Sequence, residues 1–327
     1  MLIFKWRKII SNIFPCLVNN VFKTSSEFLL LNSYFCYLIM LSIDPKEVTT
    51  AVLHSYLLGA VAPRPIAFAS TIDKDGNPNL APFSFFNVFS ANPPIAIFSP
   101  ARSGRTSLTK HTYDNIKEIP EVVINVVNYN MVQQVSLAST EYPKGTNEFT
   151  KAGFTQLASQ KIRPFRVKES PAQLECIVKQ VIELGDKGGA GNLIICEVVM
   201  IHVNKNVLDT NKQIDPNKID LVARMGGNWY SRTNGDALFE VAKPLLNLGI
   251  GVDQIPEFIR NSSVLTGNNL GQLGNIEKLP TEEELNEFKN TPIFKLLSKE
   301  NAHLEAKKLL DTNNVENAWK VLLSFRP

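Results

Sequence analysis

Hydrophobic and polar positions alternate clearly over Ile66–Ser90, in two runs separated by the polar turn Asp73–Pro78. Asp75-Gly76 within this turn is typical of tight hairpins, so the pattern predicts two strands that pair antiparallel. In the second run aromatic residues interleave with polar ones: Phe83, Phe85, Phe86 and Phe89 with Ser84, Asn87 and Ser90. A strand packed only for stability seldom carries this much polarity. The mixture favours a surface that contacts a flat, partly polar ligand.

Further apolar runs predict a mainly β chain. Alternation or short buried runs predict four more strands, at Pro94–Ser99, Glu121–Val127, Gln173–Leu184 and Asn192–Val203. The last two flank the glycine-rich segment Gly185–Gly191. No helical pattern follows these glycines, as a nucleotide-binding loop would require, so we predict a hairpin turn. Short helices are predicted over Met131–Thr140 and from Thr146.

From Thr281 the apolar residues recur at helical spacing. Thr281 followed by Glu284 is a capping box, which marks a helix start. Apolar positions continue at Leu304, Ala306, Leu309 and Leu310, and again at Ala318, Val321 and Leu322. The pattern predicts two or three short amphipathic helices that cover the strand-rich region or a neighbouring subunit.

One polar segment, 99–112, favours anion binding. It combines positive charge with hydroxyl groups: Arg102, Arg105 and Lys110 with Ser99, Ser103, Thr106, Ser107 and Thr112. A helix is predicted to begin at its end, and the backbone N–H groups there add partial positive charge. Phosphate is the ligand that this chemistry suits best. The alternative is a solvated, hydroxyl-rich loop.

Two other positions are open to alternative interpretations. Pro63 and Pro65 hold Arg64 in an extended segment, where it either reaches an anion or lies in solvent at a strand entrance. The glycine pair 226–227 brings backbone close to a neighbour, whereas Trp229 either packs in the core or contacts a ligand.

The 327 residues carry a net charge of +3, which gives no support for nucleic-acid binding. Residues 1–39 hold four basic residues against Glu27, so the rest of the chain is neutral, with 30 of each sign. This leader is a signal peptide, a membrane anchor, or sequence upstream of a true start at Met40. Its apolar runs are too short for a membrane span and it lacks an evident cleavage site, which favours the start at Met40.

The four cysteines show no CxxC spacing; two lie in the leader, and Cys176 and Cys196 lie in apolar runs. We predict reduced, buried thiols and a cytoplasmic protein. The four histidines are far apart and no hydrolase elbow occurs, so no metal site or serine hydrolase is predicted. His111 is interpreted as a surface residue. An enzyme of this composition would rely on a bound cofactor.

Four segments in order resemble the flavin reductase-like proteins, which have an FMN-binding split β-barrel: PRPIAFAST (63–71), NLAPFSFFN (79–87), FSP (98–100) and TKHTYDNI (109–116). Two later segments resemble the longer members, LVARMGGNWYSR (221–232) and VLTGNNLGQLGN (264–275). The resemblance implies a six-stranded Greek-key barrel with helical crossovers over 40–275, followed by a helical extension, 276–327. It also implies a homodimer with FMN near the subunit interface.

The resemblance also assigns roles by position. Ser70 and Thr71 would line the flavin ring, and a second group would meet the ring and ribityl chain: Ala81, Pro82, Phe83, Ser84 and Asn87. The phosphate end would be held by Ser99, Lys110 and Thr112, with Arg102 and Arg105 as weaker matches. Arg64 is a further candidate for cofactor binding because of its position between Pro63 and Pro65. Many relatives have KDT where this chain has Lys110-His111-Thr112, so no role is assigned to His111.

The activity expected from the resemblance is hydride transfer from NAD(P)H to the flavin, followed by electron transfer to a second acceptor. No side-chain acid or base is needed for the first step. No dinucleotide fingerprint occurs, so NAD(P)H is expected to bind only transiently. Three alternatives remain: an FMN-holding electron carrier reduced by a partner protein, a flavin-binding protein without turnover, and an interaction module without cofactor.

Overall fold

The computed structural model describes residues 40–241, 248–292 and 294–326. The predicted leader, with its three interpretations, lies outside the described residues. The chain divides into two compact units, the first ending at Leu238 and the second running from Phe239 to Pro327. Among the described residues, no helix is both long and apolar enough to cross a membrane.

The first unit is built on antiparallel strands. They are β1 (Ala67–Ile72), β2 (Pro78–Phe83), β3 (Phe86–Ala91), β4 (Pro94–Phe98), β5 (Glu121–Val126), β6 (Gln156–Leu157), β7 (Arg166–Val167), β8 (Ala172–Glu183), β9 (Asn192–Val203), β10 (Leu221–Arg224) and β11 (Tyr230–Thr233). Seven of them form one sheet in the order β2-β1-β5-β8-β9-β4-β3. β6 pairs with β7, and β10 with β11.

Two predicted hairpins are confirmed by the strand pairing. β1 pairs antiparallel with β2 across the Asp75-Gly76 turn, where Gly76 has a φ of 85° that favours glycine. β8 pairs with β9 along almost their whole length, and the glycine-rich segment 185–191 is the connection between them. Local turn chemistry therefore fixes both pairings.

The second run of the first hairpin, predicted as one strand, is two strands in the structure. The chain bends at Ser84 and Phe85, so that β2 and β3 lie at opposite ends of the strand order. Three Cα–Cα steps join Phe83 to Phe86, a span of at most about 11 Å. The two ends of the sheet therefore approach each other at this corner, and the sheet curls into a barrel. The prediction of a mainly β barrel is confirmed. The sheet has seven strands and not the predicted six, because the predicted second strand is divided into β2 and β3.

β1 is buried on both faces because two cores meet on it. Ala67 and Ala69 face the barrel interior, where they pack with Phe98 and Ile124. Phe68 faces the opposite way, into a second core formed with helices. Successive side chains of a strand point to opposite faces, which explains the alternation of small and large residues.

The described residues of this unit form five helices. They are α1 (Thr50–Ala60), α2 (His111–Glu118), α3 (Val132–Leu137), α4 (Glu148–Ala152) and α5 (Pro216–Ile219). α4 begins because the Asn147 side chain accepts hydrogen bonds from the backbone N–H groups of Phe149 and Thr150. It ends at Gly153, whose φ of 73° favours glycine.

The second unit contains five helices among its described residues. They are α6 (Glu257–Arg260), α7 (Gly267–Gly274), α8 (Glu282–Lys289), α9 (Ala302–Asp311) and α10 (Val315–Ser324). The last three are the helices predicted from Thr281 onward. The capping box of Thr281 and Glu284 begins α8 as predicted. Trp319 is fully buried and its indole N–H donates to the carbonyl of Leu273 at 3.1 Å. These helices bury their apolar faces in a common core.

The division between the units differs from the predicted boundary at 275/276. α7 falls in the predicted barrel domain, yet its Leu273 is fully buried in the core of the helical unit. The backbone N–H groups of Ile250 and Gly251 also donate to carbonyls at 276 and 274. The segment 264–275 therefore packs with the C-terminal helices.

Candidate active-site cleft

A cleft of about 730 Å³ opens in the first unit, a size typical of small-molecule sites. Its walls come from α1, the end of β2, the segment 99–112, the residues that follow α3 and the β10–β11 hairpin. These stretches are far apart in sequence. The barrel brings them together at the corner where β2 passes into β3.

One wall of the cleft is the end of β2. Ala81, Pro82, Phe83 and Ser84 all line it. β2 is an edge strand, which explains why a proline is tolerated within it. Phe83 also stacks at a tilt against Phe98, with ring centroids 5.6 Å apart. The wall thus offers apolar surface, backbone groups and one hydroxyl in a short stretch.

Arg64 supports this wall from behind and is not solvated. It is buried, and its guanidinium donates to the carbonyls of Leu58 at 2.6 Å, Val61 at 2.5 Å and Met225 at 2.9 Å. Its Nε also lies 3.4 Å from Ser84 Oγ. Burial, followed by the nearby charge of Arg224, lowers the pKa of Arg64. These contacts tie α1, the β10–β11 hairpin and the end of β2 together.

A second part of the cleft lining, called the anion end below, carries the hydroxyl and ammonium groups of the predicted anion segment. Ser99, Lys110 and Thr112 line it, and Lys110 is the N-cap residue of α2. The predicted helix after the segment is confirmed. Thr112 is buried, and its Oγ1 accepts a hydrogen bond of 2.9 Å from Asn79 Nδ2. Donors and positive charge are therefore concentrated at this end.

The two arginines of the anion segment lie outside the cleft lining. Arg102 contacts Glu183 at 3.5 Å and the carbonyl of Gly185 at 3.2 Å. Its backbone bonds to Gly189 and Ala190, which fastens the segment to the β8–β9 turn. Arg105 is 83% exposed and pairs with Glu141 at 2.8 Å.

Ser70 and Thr71 are buried on opposite faces of β1, and neither lines the cleft. Thr71 Oγ1 accepts hydrogen bonds from the side-chain amides of Asn79 at 3.3 Å and Asn115 at 3.2 Å. Ser70 and Thr71 are both fully buried. Ser70 Oγ is buried and has no hydrogen-bond partner among the described residues. Asn87 is exposed on β3, and its side-chain amide oxygen accepts a hydrogen bond from the backbone N–H of Val88.

Seven of the thirteen predicted site residues line the cleft together: Ala81, Pro82, Phe83, Ser84, Ser99, Lys110 and Thr112. The other six do not line it: Arg64, Ser70, Thr71, Asn87, Arg102 and Arg105. His111, interpreted from the sequence as a surface residue, is half-buried and lines the cleft.

Several lining residues were not singled out from the sequence: His54, Asn79, Glu141, Glu148 and Arg224. Glu148 is buried on α4, and its carboxylate accepts a hydrogen bond of 3.1 Å from the backbone N–H of Leu80. Burial raises the pKa of this carboxyl. No local pattern marks Glu148 in the sequence, because its buried position follows from its contact with Leu80 on β2.

The β10–β11 hairpin forms a third wall. Arg224 lies over the ring of Tyr230, with 4.6 Å from Cζ to the ring centroid. A Cβ on Gly226 would lie 3.3 Å from the Cα of Gly59, so the predicted close approach of backbone is confirmed. Trp229 is 77% exposed, which excludes the core-packing interpretation.

Cys176 and Cys196 are free and buried, as predicted, and burial raises the pKa of both thiols, that of Cys176 to about 12. In the part of the chain that the structure describes, no group of three or more histidine, cysteine or acidic side chains could hold a metal ion.

The comparisons with known proteins assign the family of this barrel. Residues 59–218 match the family model for the flavin reductase like domain. The chain is 34% identical over 196 residues to an uncharacterized protein of Aquifex aeolicus, a match that covers 60% of this chain and 97% of that protein. The chain belongs to the flavin reductase-like family, as the sequence motifs predict.

Solved structures agree on the fold. The chain is 30% identical to nitrilotriacetate monooxygenase component B of Bacillus cereus, with a TM-score of 0.58 over 62% of this chain and 98% of that chain. It is 25% identical to a putative flavin reductase with a split barrel domain from Shewanella frigidimarina, with a TM-score of 0.53 over 62% of this chain and 100% of that chain. The predicted split-barrel class is confirmed.

Proposed function

We propose that the cleft binds FMN and that the protein is an NAD(P)H-dependent flavin reductase. The observation that carries the proposal is the pairing of two surfaces within one cleft. The β2 wall offers Phe83, Pro82 and Ser84 to a flat heteroaromatic ring, and Ser99, Lys110 and Thr112 line the same cleft. FMN has the same two parts, a planar ring and a phosphate.

The donor set fits a phosphate monoester. A protonated lysine and hydroxyl groups can each donate to phosphate oxygens, and such charge-assisted hydrogen bonds contribute about 1.5–3 kcal/mol each. Thr112 is held by Asn79, and Lys110 is half-buried at the start of α2. Donors that are already positioned lose less conformational entropy when a ligand binds.

When bound, FMN would supply the redox chemistry, by accepting a hydride from a reduced nicotinamide and passing electrons on. The protein's own groups would bind and orient the two rings and exclude water. Phe83 and Pro82 would bury one face of the ring, and Ser84 would give a hydroxyl next to it. Arg64 would keep this wall in place through its contacts with α1 and the β10–β11 hairpin.

A visible spectrum of the purified protein, before and after each nicotinamide is added anaerobically, tests the proposal. We expect a flavin spectrum with FMN present and bleaching by NADH or NADPH within the time of turnover. FMN binding without reduction by either nicotinamide would favour the electron carrier. A protein with no flavin affinity would contradict both functions.

We propose further that a second copy of the chain completes the site. Apolar side chains are exposed beside the cleft on the edge strand β3, where Val88 is 60% and Phe89 65% exposed. Phe85, at the start of this stretch, lines the cleft itself. A paired edge strand would also satisfy its free backbone groups.

Light scattering of Phe89→Glu tests this assembly. We expect a dimer for the wild-type protein and a monomer with weakened FMN binding for the variant, because a buried charge opposes association. Leu304→Glu, an exposed leucine in the helical unit, is the matched control and should stay dimeric. A wild-type monomer with full FMN affinity would overturn the proposed dimer.

A further inference from the structure

The two basic side chains near the anion end share one acidic partner. Lys110 Nζ lies 2.6 Å from Glu141 Oε1, and Arg105 Nη2 lies 2.8 Å from Glu141 Oε2. The two carboxylate oxygens thus each accept from a different cation. The hydrogen bond from Lys110, followed by its charge, lowers the pKa of Glu141, so the carboxylate is ionised at neutral pH.

Glu141 comes from a different part of the chain than the cations. It lies between α3 and α4, in a stretch whose residues Ser139, Thr140 and Tyr142 also line the cleft. Its carboxylate therefore projects across the anion end from the facing wall. Lys110 and Arg105 reach it from the segment that precedes α2.

The stretch around Glu141 is fixed by its own backbone. The N–H of Tyr142 donates to the carbonyl of Thr140, and the N–H of Thr146 donates to the carbonyl of Pro143. The Glu141 side chain itself is 51% exposed. A ligand can therefore displace the carboxylate by side-chain rotation into solvent, without any change in the barrel.

A carboxylate in this position competes with a phosphate in two ways. It occupies one of the three N–H donors of Lys110, from which a phosphate oxygen would otherwise accept. It also places a negative charge beside the charge of the phosphate, and like charges at short distance repel. A phosphate oxygen that takes this donor must break the Glu141–Lys110 hydrogen bond.

We propose that Glu141 is a specificity-determining residue that acts as an internal competitor for the phosphate end of the flavin. This inference rests on the proposed FMN site. By weakening the phosphate contacts, Glu141 makes the flavin an exchangeable ligand rather than a permanently held group. It lowers the affinity for phosphate-bearing flavin selectively and leaves ring binding unchanged.

Fluorescence titrations of the full chain with FMN and with riboflavin test the proposal. For Glu141→Gln we expect FMN to bind about fivefold more tightly, a change of about 1 kcal/mol that is typical of a partly exposed charge pair, and to dissociate more slowly. Riboflavin, which has the ring and no phosphate, should bind the variant and the wild-type protein equally.

Glu197→Gln is the matched control. Glu197 also pairs with a lysine, Lys179 at 3.0 Å, and lies outside the cleft lining. This variant removes one negative charge from a similar surface pair, so FMN affinity should match that of the wild-type protein. A gain as large as that of Glu141→Gln would show a general charge effect and overturn the proposal.

Two further outcomes separate this inference from the proposed function. If the wild-type protein binds FMN and Glu141→Gln binds it equally or more weakly, the internal competitor is refuted and the FMN site stands. If neither flavin binds the wild-type protein, both are refuted. An equal gain in affinity for FMN and for riboflavin would also refute the inference, because the substitution would then act on binding of the ring and not of the phosphate.

Discussion

The two units of this protein bury very different side chains. Of the buried polar and charged residues in the described chain, thirteen lie in the barrel unit and one, Asn269, in the helical unit. Asn269 belongs to a capping box with Thr266 and is satisfied locally. The barrel's buried polar groups instead bond between elements, as Thr112 does with Asn79 and Glu148 with Leu80.

The buried polar groups of the barrel unit and the apolar core of the helical unit have different consequences for stability. Buried polar groups require partners and lower stability when one partner is lost. In the barrel unit, four of these buried polar residues line the cleft: Asn79, Ser99, Thr112 and Glu148. The helical unit fills its core with apolar residues such as Trp319, Leu285 and Ile259, all buried. We therefore expect substitutions in the helical core to change stability and substitutions in the cleft to change ligand binding.

The largest effect is expected for Trp319→Ala. The substitution removes a fully buried ring and the donor to the Leu273 carbonyl, which should destabilise the helical unit by about 3–5 kcal/mol. Urea unfolding followed by far-UV circular dichroism measures the loss. FMN affinity of the barrel should be unchanged while the variant is folded.

A second tryptophan supplies the control for this experiment. Trp229 is 77% exposed on the β10–β11 hairpin, so Trp229→Ala should change the free energy of unfolding by less than about 0.5 kcal/mol. If the two variants lost similar stability, burial of Trp319 would not be what stabilises the helical unit.

The next largest effect concerns the barrel. Lys110→Ala combined with Thr112→Ala should weaken FMN binding by on the order of 100-fold, because two donors at the anion end are lost. Riboflavin affinity should change little. Isothermal titration with both flavins measures the difference.

Lys117→Ala, on the exposed side of the same helix, is the control and should bind FMN normally. Unchanged FMN affinity in the double variant would contradict the assigned phosphate end.

Local patterns were enough to predict most strands of the barrel. The β1–β2 and β8–β9 hairpins follow from turn residues, and the start of α2 follows from the polar segment before it. Each depends on residues that are close in sequence. Lys110, Ser99 and the residues of the β2 wall could be predicted as site residues for the same reason, because each lies within a short sequence motif that can be recognised without knowledge of the fold.

Long-range features could not be predicted in this way. The break between β2 and β3 depends on closure of the barrel, since nothing in Ser84-Phe85 alone requires a bend. The pair of Lys110 with Glu141 joins residues 31 positions apart. Arg64 bonds to Met225 across 161 positions, so its role in supporting the wall is visible only once the fold is known.

A smaller effect should distinguish the units by pH. Burial raises the pKa of Glu148, so the folded barrel favours its protonated form. The contribution of this group to stability is therefore greatest below its ordinary pKa and falls as pH rises through the window up to the raised value. Glu148→Gln should flatten this dependence in urea unfolding between about pH 4 and about pH 8.

Glu148→Ala should behave differently from the glutamine variant. It leaves the Leu80 N–H without its acceptor and should cost about 1–3 kcal/mol at every pH. A pH dependence in Glu148→Gln equal to that of the wild-type protein would remove Glu148 as its source.

The smallest effect is expected in the helical unit, with the opposite sign. His303 Nδ1 lies 2.7 Å from Ser262 Oγ, and burial lowers the pKa of His303 below its ordinary value of 6.5. The folded unit favours neutral histidine, so this stabilisation is complete above pH 6.5 and is lost as pH falls through the lowered value. His303→Asn keeps a polar group near Ser262 and should remove this loss on acidification.

Unfolding of this variant and of His54→Asn, a substitution in the barrel unit, should be followed on both sides of pH 6.5. Only His303→Asn should change the acid sensitivity of the helical unit. If acid lowered the free energy of unfolding of both units equally, with or without His303, the two units would not respond independently to pH. The proposed difference between them would then be wrong.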